Sequence, residues 1–485
     1  MRTSQSHPLE IAEAKVGPGL GSVGITFCPG KKQSGALTGA WDRDLGLDLD
    51  AIQAFGAAAL VTLIEDHEIS DLGVHGIGEQ AVLRHMDWLH LPIADVSVPG
   101  PDFEQAWQVH GPGLRARIRD GFNVVVHCKG GLGRAGTIAA RLLVELGTDP
   151  ADAINEVRAV REGAIETPAQ ERYVLGHTPV EESAPSASHE AIKDRAIGAL
   201  LGLAVGDAVG TTLEFKSRDS YPLLIDMVGG GPFGLQAGQW TDDTSMALAL
   251  ADSLLATDEF DPADLMERFV AWRDQGKYSC TGSCFDIGGT VASALSRWKR
   301  SGDPIAGSTD PQSAGNGSLM RLSPVAIRHW QDRETMRKVA AIQSQTTHGA
   351  PEAVSACVAY ADLIADAIAG QPRHEVLAPR RSNHAGKIET IMRGSWRGAS
   401  REDIGSSGYV AHSLKAALWS IGRTSDFRSA ILTAANLGGD ADTTAAIAGQ
   451  LAGTLYGASG IPAEWLEKVA WREEIESKAL GLLRG

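Results

Sequence analysis

The sequence predicts two structural domains, an α/β domain followed by an all-α domain. The chain has 485 residues, more than a single hydrophobic core usually organises. Short β-like runs alternate with helical runs in the first part of the chain, whereas strand signals nearly vanish after residue 190. Between these parts lies a stretch rich in Ser, Pro, Ala and acidic residues, which is typical of a flexible linker. The predicted boundaries are residues 1–176, 177–190 and 191–485.

In the first domain, the alternation predicts a central, mainly parallel sheet with helices packed against it. Apolar runs predict strands at Val23–Phe27, Ala58–Ile64, Trp88–Ile93 and Asn123–His127. Helical patterns occur at Asp50–Gly56, Asp102–Arg119 and Arg134–Leu146.

The second domain contains long stretches rich in Ala, Leu and Gly, which predict a helical bundle. These stretches are Lys193–Gly206, Thr244–Ala256, Pro262–Trp272, Thr335–Gln345, Pro351–Ala369, Ser413–Ile421, Phe427–Ala435 and Thr443–Tyr456. The last one is small and apolar nearly all round, so we expect it at the centre of the bundle. The basic, irregular segment Arg380–Arg397 predicts an exposed loop with a short helix.

Composition narrows the class of protein. The apolar content of 43% is enough for two cores, and the net charge of −16 argues against general binding to nucleic acids or membrane surfaces. Five cysteines do not suggest a disulfide framework, so we expect a cytoplasmic protein. Residues Met1–Val16 lack the apolar core of a signal peptide. The apolar stretch Ala196–Val209 is interrupted by Asp207 and looks too short to span a bilayer.

Residues 124–137 read VVVHCKGGLGRAGT, a strand that runs into a glycine-rich turn and then into a helix. Backbone amides in such a turn, Lys129, Gly130, Gly131, Leu132 and Gly133, can form an anion-binding nest at the helix N-terminus. The positive electrostatic potential of these amides and of the helix N-terminus favours a thiolate at Cys128. Arg134 has a planar guanidinium that can bind two phosphate oxygens at once. A buried structural cysteine before a glycine turn is the simpler alternative. The whole block favours attack on a phosphate monoester through a phosphocysteine intermediate.

This block resembles the signature loop of dual-specificity protein phosphatases, most closely the kinase-associated phosphatase group, and the resemblance covers about residues 20–176. The resemblance implies a phosphatase fold that acts on a phosphorylated substrate and uses no metal cofactor. Family members supply a general-acid aspartate upstream of the cysteine, which falls on Asp95 in this sequence. Residues Gly163–Thr167 with Gln170 resemble a further family segment. One departure is Ala135, where the family places a hydroxyl that assists breakdown of the phosphoenzyme.

Two acidic clusters precede helical runs in the second domain, QWTDDTS at 239–245 and NLGGDADTT at 436–444. Thr and Asp are also common at helix N-termini, so capping alone could explain either cluster. However, carboxylates at the mouth of a buried helix need compensation. Carboxylates and hydroxyls without His or Cys suit hard cations, hence Mg²⁺ or Mn²⁺. Two such clusters could build a two-metal site.

These motifs resemble the ADP-ribosylglycohydrolase family, most closely the dinitrogenase-reductase-activating glycohydrolases, from about Lys193 to Gly457. Seven segments occur in family order: the two clusters, residues 198–210 leading to Glu214, residues 285–288, residues 316–321, residues 347–349 and residues 407–410. The resemblance implies an all-α bundle that holds two Mg²⁺ or Mn²⁺ ions and acts on an ADP-ribosylated protein or an ADP-ribosyl metabolite.

By resemblance, the proposed metal ligands are Thr241, Asp242, Asp243, Asp440, Asp442 and Thr443. Glu214 matches an acidic residue near the metals and is a candidate catalytic group, although the general base could equally be one of the aspartates. Residues expected to contact ADP-ribose are Asn316, Gly317, Ser318, His348 and Tyr409. The metals would hold the vicinal hydroxyls of the distal ribose and position a water at its anomeric carbon.

The leading interpretation is therefore a bifunctional hydrolase that removes ADP-ribose, preferably from arginine, and cleaves a phosphate monoester. A second interpretation makes the first domain a phosphate-binding or targeting module with little turnover, because of Ala135. A third makes the second domain structural, since relatives of the family include lens crystallins, but the intact acidic clusters weigh against it.

Overall fold

The computed structural model describes residues 1–35, 39–381 and 383–484. The chain divides into two compact units, which confirms the prediction of two domains. The first unit contains Met1–Glu182 together with Gly422–Ser425, and the second contains Ser183–Ile421 and Asp426–Gly485.

The first unit contains seven strands and seven helices among its described residues. The strands are β1 (Ala12–Lys15), β2 (Ser22–Phe27), β3 (Lys32–Gln33), β4 (Trp41–Asp42), β5 (Ala57–Thr62), β6 (Asp87–His90) and β7 (Asn123–Cys128). The helices are α1 (Leu45–Ala54), α2 (Asp66–Asp71), α3 (Ile77–Val82), α4 (Pro101–Arg119), α5 (Gly133–Glu145), α6 (Pro150–Val160) and α7 (Pro168–Leu175).

Five strands form one sheet in the order β1-β2-β7-β5-β6, with β7 at its centre. The pairs β2–β7, β5–β7 and β5–β6 are parallel and only β1 is antiparallel, so the mainly parallel sheet is confirmed. Because β7 is flanked on both sides, its end at Cys128 is held in register by Phe27 of β2. Strands β1, β3 and β4 were not predicted, because they are four residues or fewer and lack an apolar alternation.

Helix α1 shows how a polar residue sets an element boundary. It begins at Leu45 rather than at the predicted Asp50, because the Asp44 side chain accepts a hydrogen bond from the Leu47 amide and caps the helix.

The second unit is helical, and its described residues include no strand beyond isolated bridges. Its α-helices are α8 (His189–Gly210), α9 (Asp242–Ala256), α10 (Pro262–Gln275), α11 (Gly289–Ser301), α12 (Ser323–His329), α13 (Arg333–Thr347), α14 (Pro351–Ala369), α15 (Arg373–Val376), α16 (Lys387–Met392), α17 (Val410–Arg423), α18 (Phe427–Ala435), α19 (Ala441–Tyr456), α20 (Ala463–Leu466) and α21 (Arg472–Arg484). Four short 3₁₀ helices, Thr211–Leu213, Pro311–Ser313, Arg401–Asp403 and Ala458–Gly460, complete it. The prediction of an all-α domain is confirmed, and α16 is the short helix expected within the basic segment Arg380–Arg397, of which Ser382 lies outside the described residues.

Helices α8 and α19 form the centre of this bundle, as predicted for α19, and nearly every residue from Ala441 to Thr454 is buried. They approach so closely that only glycine fits on α8 at every fourth position. A Cβ atom at Gly198, Gly202, Gly206 or Gly210 would lie less than 3.0 Å from backbone atoms of α19 or its flanking residues. This spacing of small residues lets two helix backbones touch.

By length and composition, the stretch from His189 to Leu213 could cross a membrane. The prediction from Ala196–Val209 alone, that the apolar stretch is too short to span a bilayer, is therefore wrong on length. In the fold, however, 89% of its most apolar window is buried inside the protein, as expected of a core helix.

Part of the segment predicted as a linker is bound to the first unit. The Val180 amide donates to the Glu145 carbonyl at 3.0 Å, and the Glu182 carboxylate pairs with Arg115 at 2.6 Å and with Arg119 at 2.9 Å. Helix α8 already begins at His189. Of the predicted linker, residues 183–188 thus remain between the part that is bound to the first unit and the start of helix α8.

We predict that Gly202→Ala destabilises the second domain by about 1–3 kcal/mol, because the added methyl group would collide with the Gly449 carbonyl. This loss outweighs the gain in helix propensity of roughly 1 kcal/mol. Calorimetric unfolding of the full chain measures it. Gly481→Ala in α21 is the matched control, since its methyl group would meet only the flexible Leu255 side chain at 3.2 Å. Equal unfolding temperatures for Gly202→Ala and Gly481→Ala would contradict the prediction.

Candidate functional sites

The loop between β7 and α5 is the first candidate site. Strand β7 ends at Cys128 and α5 begins at Gly133, so the turn occupies only residues 129–132. The Gly131 amide donates to Cys128 Sγ at 3.2 Å, so at least one amide of the turn is directed at the cysteine sulfur. Gly131 has a φ of +69°, and a Cβ there would lie 2.5 Å from Phe27 N. The turn therefore requires glycine at this position.

Arg134 lies in the first turn of α5 and is held by a bidentate ion pair. Its two terminal nitrogens donate to the Glu68 carboxylate at 2.6 and 2.9 Å, and one of them also donates to the Ile93 carbonyl at 2.9 Å. Burial opposes ionisation of Glu68, but the hydrogen bonds from Arg134 and from the Glu65 amide keep its pKa below the ordinary value. Glu68 was not identified from the sequence, because helix α2 has no clear apolar pattern.

Asp95 lies beside this arginine. Its Oδ1 is 2.9 Å from Arg134 Nη2, and its side chain is 56% exposed. The structure thus brings Cys128, Arg134 and Asp95 to one end of the sheet, as the sequence predicted for a nucleophile, an anion-binding group and a proton donor.

Two further cations hold the turn from outside. Arg161 donates to the carbonyls of Gly131 at 3.1 Å and Gly130 at 3.3 Å, and Lys31 Nζ donates to the Lys129 carbonyl at 3.3 Å. These contacts hold the backbone of the turn from the side of its carbonyls. Neither residue was identified from the sequence, because both lie far from the turn along the chain.

His127, directly before the cysteine, is fully buried and neutral. Burial lowers its pKa to about 3. Trp88 Nε1 donates to Thr62 Oγ1 at 2.8 Å, so the Thr62 hydroxyl can direct its own proton to His127 Nε2 at 2.8 Å. Ala135 is completely buried, and the nearest hydroxyl along α5, that of Thr137, donates to the Gly133 carbonyl at 2.8 Å.

The second candidate site lies where α8, α9 and α19 meet. Asp207, a fully buried residue of α8, accepts hydrogen bonds from four donors at the beginning of α9. They come from the amide and hydroxyl of Thr241, both at 2.9 Å, and from the amide at 3.0 Å and the hydroxyl at 2.6 Å of Thr244. Asp207 thereby fixes the direction in which the side chains of Asp242 and Asp243 project from α9.

Glu214 performs the corresponding task for α19. Its Oε2 accepts hydrogen bonds from the amides of Ala441 at 2.7 Å and Asp442 at 3.3 Å, at the N-terminus of that helix. Asp440 accepts from Asn316 Nδ2 at 2.5 Å. The two acidic clusters of the sequence therefore converge, although 190 or more residues separate them.

Two triplets of carboxylates each bring one oxygen per residue within 4.8 Å of the others: Asp207, Asp243 and Asp442, and Glu214, Asp440 and Asp442. Buried oxygens Asp243 Oδ1 and Asp442 Oδ2 have no hydrogen-bond partner. Burial, and then mutual repulsion, raises the pKa of Asp207 and Asp442 to about 7 and that of Glu214 to about 12. Buried, unsatisfied carboxylate oxygens at this density are the donors that hard cations prefer.

A cavity of about 410 Å³ opens above these carboxylates. Of the residues proposed from the sequence, those that line it are Glu214, Asp242, Asp440, Asp442, Thr443, Asn316, Gly317 and His348. The buried side chains of Thr241 and Asp243 lie behind Asp242, with Thr241 Oγ1 donating to Asp243 Oδ2 at 3.2 Å. Ser318 shares a hydrogen bond with Ser344 at 2.8 Å. The Tyr409 hydroxyl donates to Glu352 at 2.5 Å, and Tyr409's neighbour Gly408 lines the cavity.

His348 forms part of the cavity wall as a neutral ring. Burial lowers its pKa to about 3, and its Nδ1 lies 2.9 Å from the Thr347 hydroxyl. A Cβ at Gly317 would lie 2.7 Å from the ring, so the glycine allows the imidazole to reach the cavity.

Among the residues of this site that were not assigned a role from the sequence are Asp207, Asp286 and Phe215. Asp286 and Phe215 line the cavity. Asp207 has a visible signal in the sequence, because it is the lone charge in the apolar stretch Ala196–Val209. Asp286 lay in a segment used for the family resemblance, but Phe215 had no such signal.

Comparison with known proteins agrees with this geometry. Residues 188–485 match the family model for ADP-ribosylglycohydrolase, and residues 42–174 match the model described as "Swiss Army Knife protein, DSP-PTPase phosphatase domain".

Among curated proteins, the ADP-ribosylarginine hydrolase Tri1 of Pseudomonas putida is 50% identical over 288 residues, which cover 59% of this chain and 77% of that protein. The ADP-ribosyl-[dinitrogen reductase] glycohydrolase of Rhodospirillum rubrum is 33% identical over 59% of this chain and 93% of its own. Among solved structures, an ADP-ribosylglycohydrolase-related protein complex is 39% identical with a TM-score of 0.55, covering 61% of this chain and 99% of that one.

Both predicted hydrolase classes are therefore confirmed. The chain belongs to the ADP-ribosylglycohydrolase family and carries a DSP-PTPase phosphatase domain ahead of its glycohydrolase domain.

Proposed function

We propose that the second domain removes ADP-ribose from arginine side chains of modified proteins, or from related ADP-ribosyl compounds, with the help of two divalent cations. The observation that carries this proposal is the pair of buried carboxylate triplets, of which Glu214, Asp440 and Asp442 line a cavity of about 410 Å³. This volume lies within the range usual for small-molecule sites. Arginine is the favoured acceptor, because the 50% identical relative is named for hydrolysing ADP-ribosylarginine.

The donor set fits Mg²⁺ or Mn²⁺. The residues that would hold the ions are those of the two clusters, Thr241, Asp242, Asp243, Asp440, Asp442 and Thr443. Two partnerless oxygens, Asp243 Oδ1 and Asp442 Oδ2, support this assignment, because they have no other means of compensation. When bound, such cations supply Lewis acidity toward ribose hydroxyls and water.

The remaining residues of the site have separate tasks. Asn316 is proposed to orient Asp440 and, with Gly317 and Ser318, to form the polar wall for the diphosphate and ribose. His348 would contact the ribose as a neutral ring, and Tyr409 the adenine. Glu214 is positioned beside Asp442. Bound cations would offset the burial and the repulsion that raise its pKa, and the Glu214 carboxylate could then accept a proton from the attacking water or stabilise positive charge at the anomeric carbon.

For the first domain, we propose hydrolysis of a phosphate monoester. Cys128 Sγ would attack phosphorus, the bond between phosphorus and the ester oxygen would break, and Asp95 would protonate the departing oxygen. The amides of residues 129–133 and the Arg134 guanidinium would hold the phosphoryl oxygens. The phosphocysteine is then hydrolysed by water.

The absence of a hydroxyl at position 135 favours a second candidate function for this domain. Ala135 is buried, and the hydroxyl of Thr137 is already engaged with Gly133, so the helix offers the cysteine no hydroxyl at the family's position. A phosphate-binding or targeting module with little turnover would fit this feature, and turnover of p-nitrophenyl phosphate distinguishes the two.

The proposed domain boundaries are residues 1–176, 177–190 and 191–485, with the docking of Val180 and Glu182 as a refinement within the linker. The proposed partners are an ADP-ribosylated protein or metabolite and a phosphorylated substrate, in the cytoplasm.

We predict that Cys128→Ser lowers phosphatase turnover on the order of 1,000-fold or more, because a serine hydroxyl is a far weaker nucleophile than a thiolate. Binding of a phosphate analogue such as tungstate should survive, since the amide nest and Arg134 are unchanged. Release of ADP-ribose by the same protein serves as the control. Near wild-type turnover of p-nitrophenyl phosphate by the variant would exclude the phosphocysteine mechanism.

We predict that Asp242→Ala and Asp440→Ala each lower ADP-ribose release about 100-fold or more, because loss of a ligand leaves the cations under-coordinated. An excess of chelator should have the same effect on the wild type. Asp258→Ala, at an exposed site outside the cavity, is the matched control, and phosphatase activity should stay unchanged throughout. Full release of ADP-ribose in excess chelator would exclude a metal-dependent site.

We predict that Mg²⁺ or Mn²⁺ raises the melting temperature of the chelated chain more at about pH 8 than at about pH 5.5. The folded pKa values of Asp207, Asp286 and Asp442 are raised to about 7, first by burial and then by neighbouring carboxylates. Without a cation, the stability that bound protons provide is present below the unfolded pKa of about 4 and is lost as the pH rises through about 7.

Thermal unfolding with and without the cation at both pH values provides the measurement. Asp442→Asn removes a carboxylate shared by both triplets and should reduce the shift at about pH 8. A cation-induced shift that is absent, or that is equal at the two pH values, would speak against the site.

A further inference from the structure

A row of three phenylalanines borders the carboxylates of the second site. Phe215 is 67% exposed and lines the cavity. The ring of Phe233 lies 6.3 Å from that of Phe215 and 5.2 Å from that of Phe285. We call these three residues the aromatic row. An exposed aromatic side chain at the mouth of a site usually has a binding role, because its burial by a ligand is favourable.

The backbone of the row is held in unusual conformations. Phe215 and Asp286, the residue after Phe285, both have a φ of +59°, which is rare outside glycine and clusters at functional sites. Two hydrogen bonds fix the first turn, because the Phe215 amide donates to the Gly439 carbonyl and the Gly439 amide donates to the Lys216 carbonyl, both at 2.8 Å. Phe215 is therefore directed outward by the same backbone that leads into Asp440.

The turn that carries Phe233 is equally constrained. Gly230 and Leu235 exchange two backbone hydrogen bonds, at 2.7 and 3.0 Å, and Thr212 Oγ1 donates to the Gly229 carbonyl at 3.0 Å. Gly231 packs against the Thr211 carbonyl so closely that a Cβ would collide with it. The aromatic row is thus organised before any ligand binds, which lowers the entropic cost of binding.

The position of the row indicates which part of the substrate it meets. Phe215 directly follows Glu214, and Phe285 directly precedes Asp286, so the row adjoins carboxylates at the proposed reaction centre. The leaving group must lie next to those carboxylates, because the scissile bond joins it to the anomeric carbon. The adenine, in contrast, is separated from that carbon by a diphosphate and a second ribose.

We propose that the aromatic row is the acceptor subsite and that Phe215 binds the guanidinium of the ADP-ribosylated arginine through a cation–π contact. This inference rests on the function proposed above for the second domain. The arginine side chain is a planar cation on an apolar stem. The ring face of Phe215 and the carboxylates of Asp242 and Asp286 can both attract such a cation. The row thereby selects a cationic acceptor over a neutral one.

The test compares Phe215→Ala, Phe215→Leu and Phe215→Trp in the full chain with Mg²⁺. For an ADP-ribosyl-arginine peptide, Phe215→Ala and Phe215→Leu should lower kcat/KM about 3- to 30-fold, because neither side chain offers an aromatic face to the cation, whereas Phe215→Trp should retain it. The Kd for free ADP-ribose should change less than about two-fold, because cation–π contact is made only with the acceptor. Ile225→Ala, at a side chain 65% exposed outside the cavity lining, is the control for loss of surface apolar area.

Three results would overturn the inference. Equal weakening of ADP-ribose binding and of kcat/KM in Phe215→Ala would show that the ring contacts the ADP-ribose moiety instead. Wild-type kcat/KM in Phe215→Leu would exclude a cation–π contact. Failure of the wild-type chain to hydrolyse ADP-ribosyl-arginine would overturn the proposed function itself, and it is distinguishable because it appears without any substitution at Phe215.

Discussion

The close contact between helices α8 and α19 is the constraint on which the second domain depends. Glycines at every fourth position of α8 allow the two backbones to touch, and this contact brings Asp207 of one helix beside Asp442 of the other. A wider spacing would move these carboxylates apart and would separate the two acidic clusters. The same packing that excludes water from the bundle therefore gathers carboxylates at its end, where burial first and neighbouring aspartates second raise the pKa of Asp207 and Asp442.

The two sites of the chain treat charge in opposite ways. In the first domain, the ends of a strand and a helix present amides and one arginine, and the surrounding charges are balanced: Glu68 pairs with Arg134, and Lys31 and Arg161 engage the outward carbonyls of the turn. In the second domain, two buried carboxylate oxygens, Asp243 Oδ1 and Asp442 Oδ2, have no hydrogen-bond partner. The first arrangement suits an anionic ligand, whereas the second suits cations.

Supporting residues determine the geometry in both sites. Glu68 and Asp207 are buried acids that accept several hydrogen bonds each and that orient a neighbour rather than face the ligand. Their position explains why the motif residues point in defined directions: Arg134 is held in its fork geometry, and the first turn of α9 is held against α8. Outer partners of this kind commonly influence activity nearly as much as the groups they orient.

The sequence by itself determined the local features. The strand that leads to Cys128, the glycine turn and the helix beginning near Arg134 are adjacent in the chain, and helices such as Pro351–Ala369 and Phe427–Ala435 agree with the structure because apolar periodicity and capping residues act within a few positions. For the same reason, the two acidic clusters were recognisable, since each lies within one helix N-terminus.

Only the tertiary structure decided which of these features act together. The pairing of Arg134 with Glu68, the support of Thr241 by Asp207 and the aromatic row all join residues from separate segments that carry no periodic signal of their proximity. The physical reason is that such contacts depend on how closely helices and strands pack, and packing is set by the summed fit of many side chains rather than by any one local pattern.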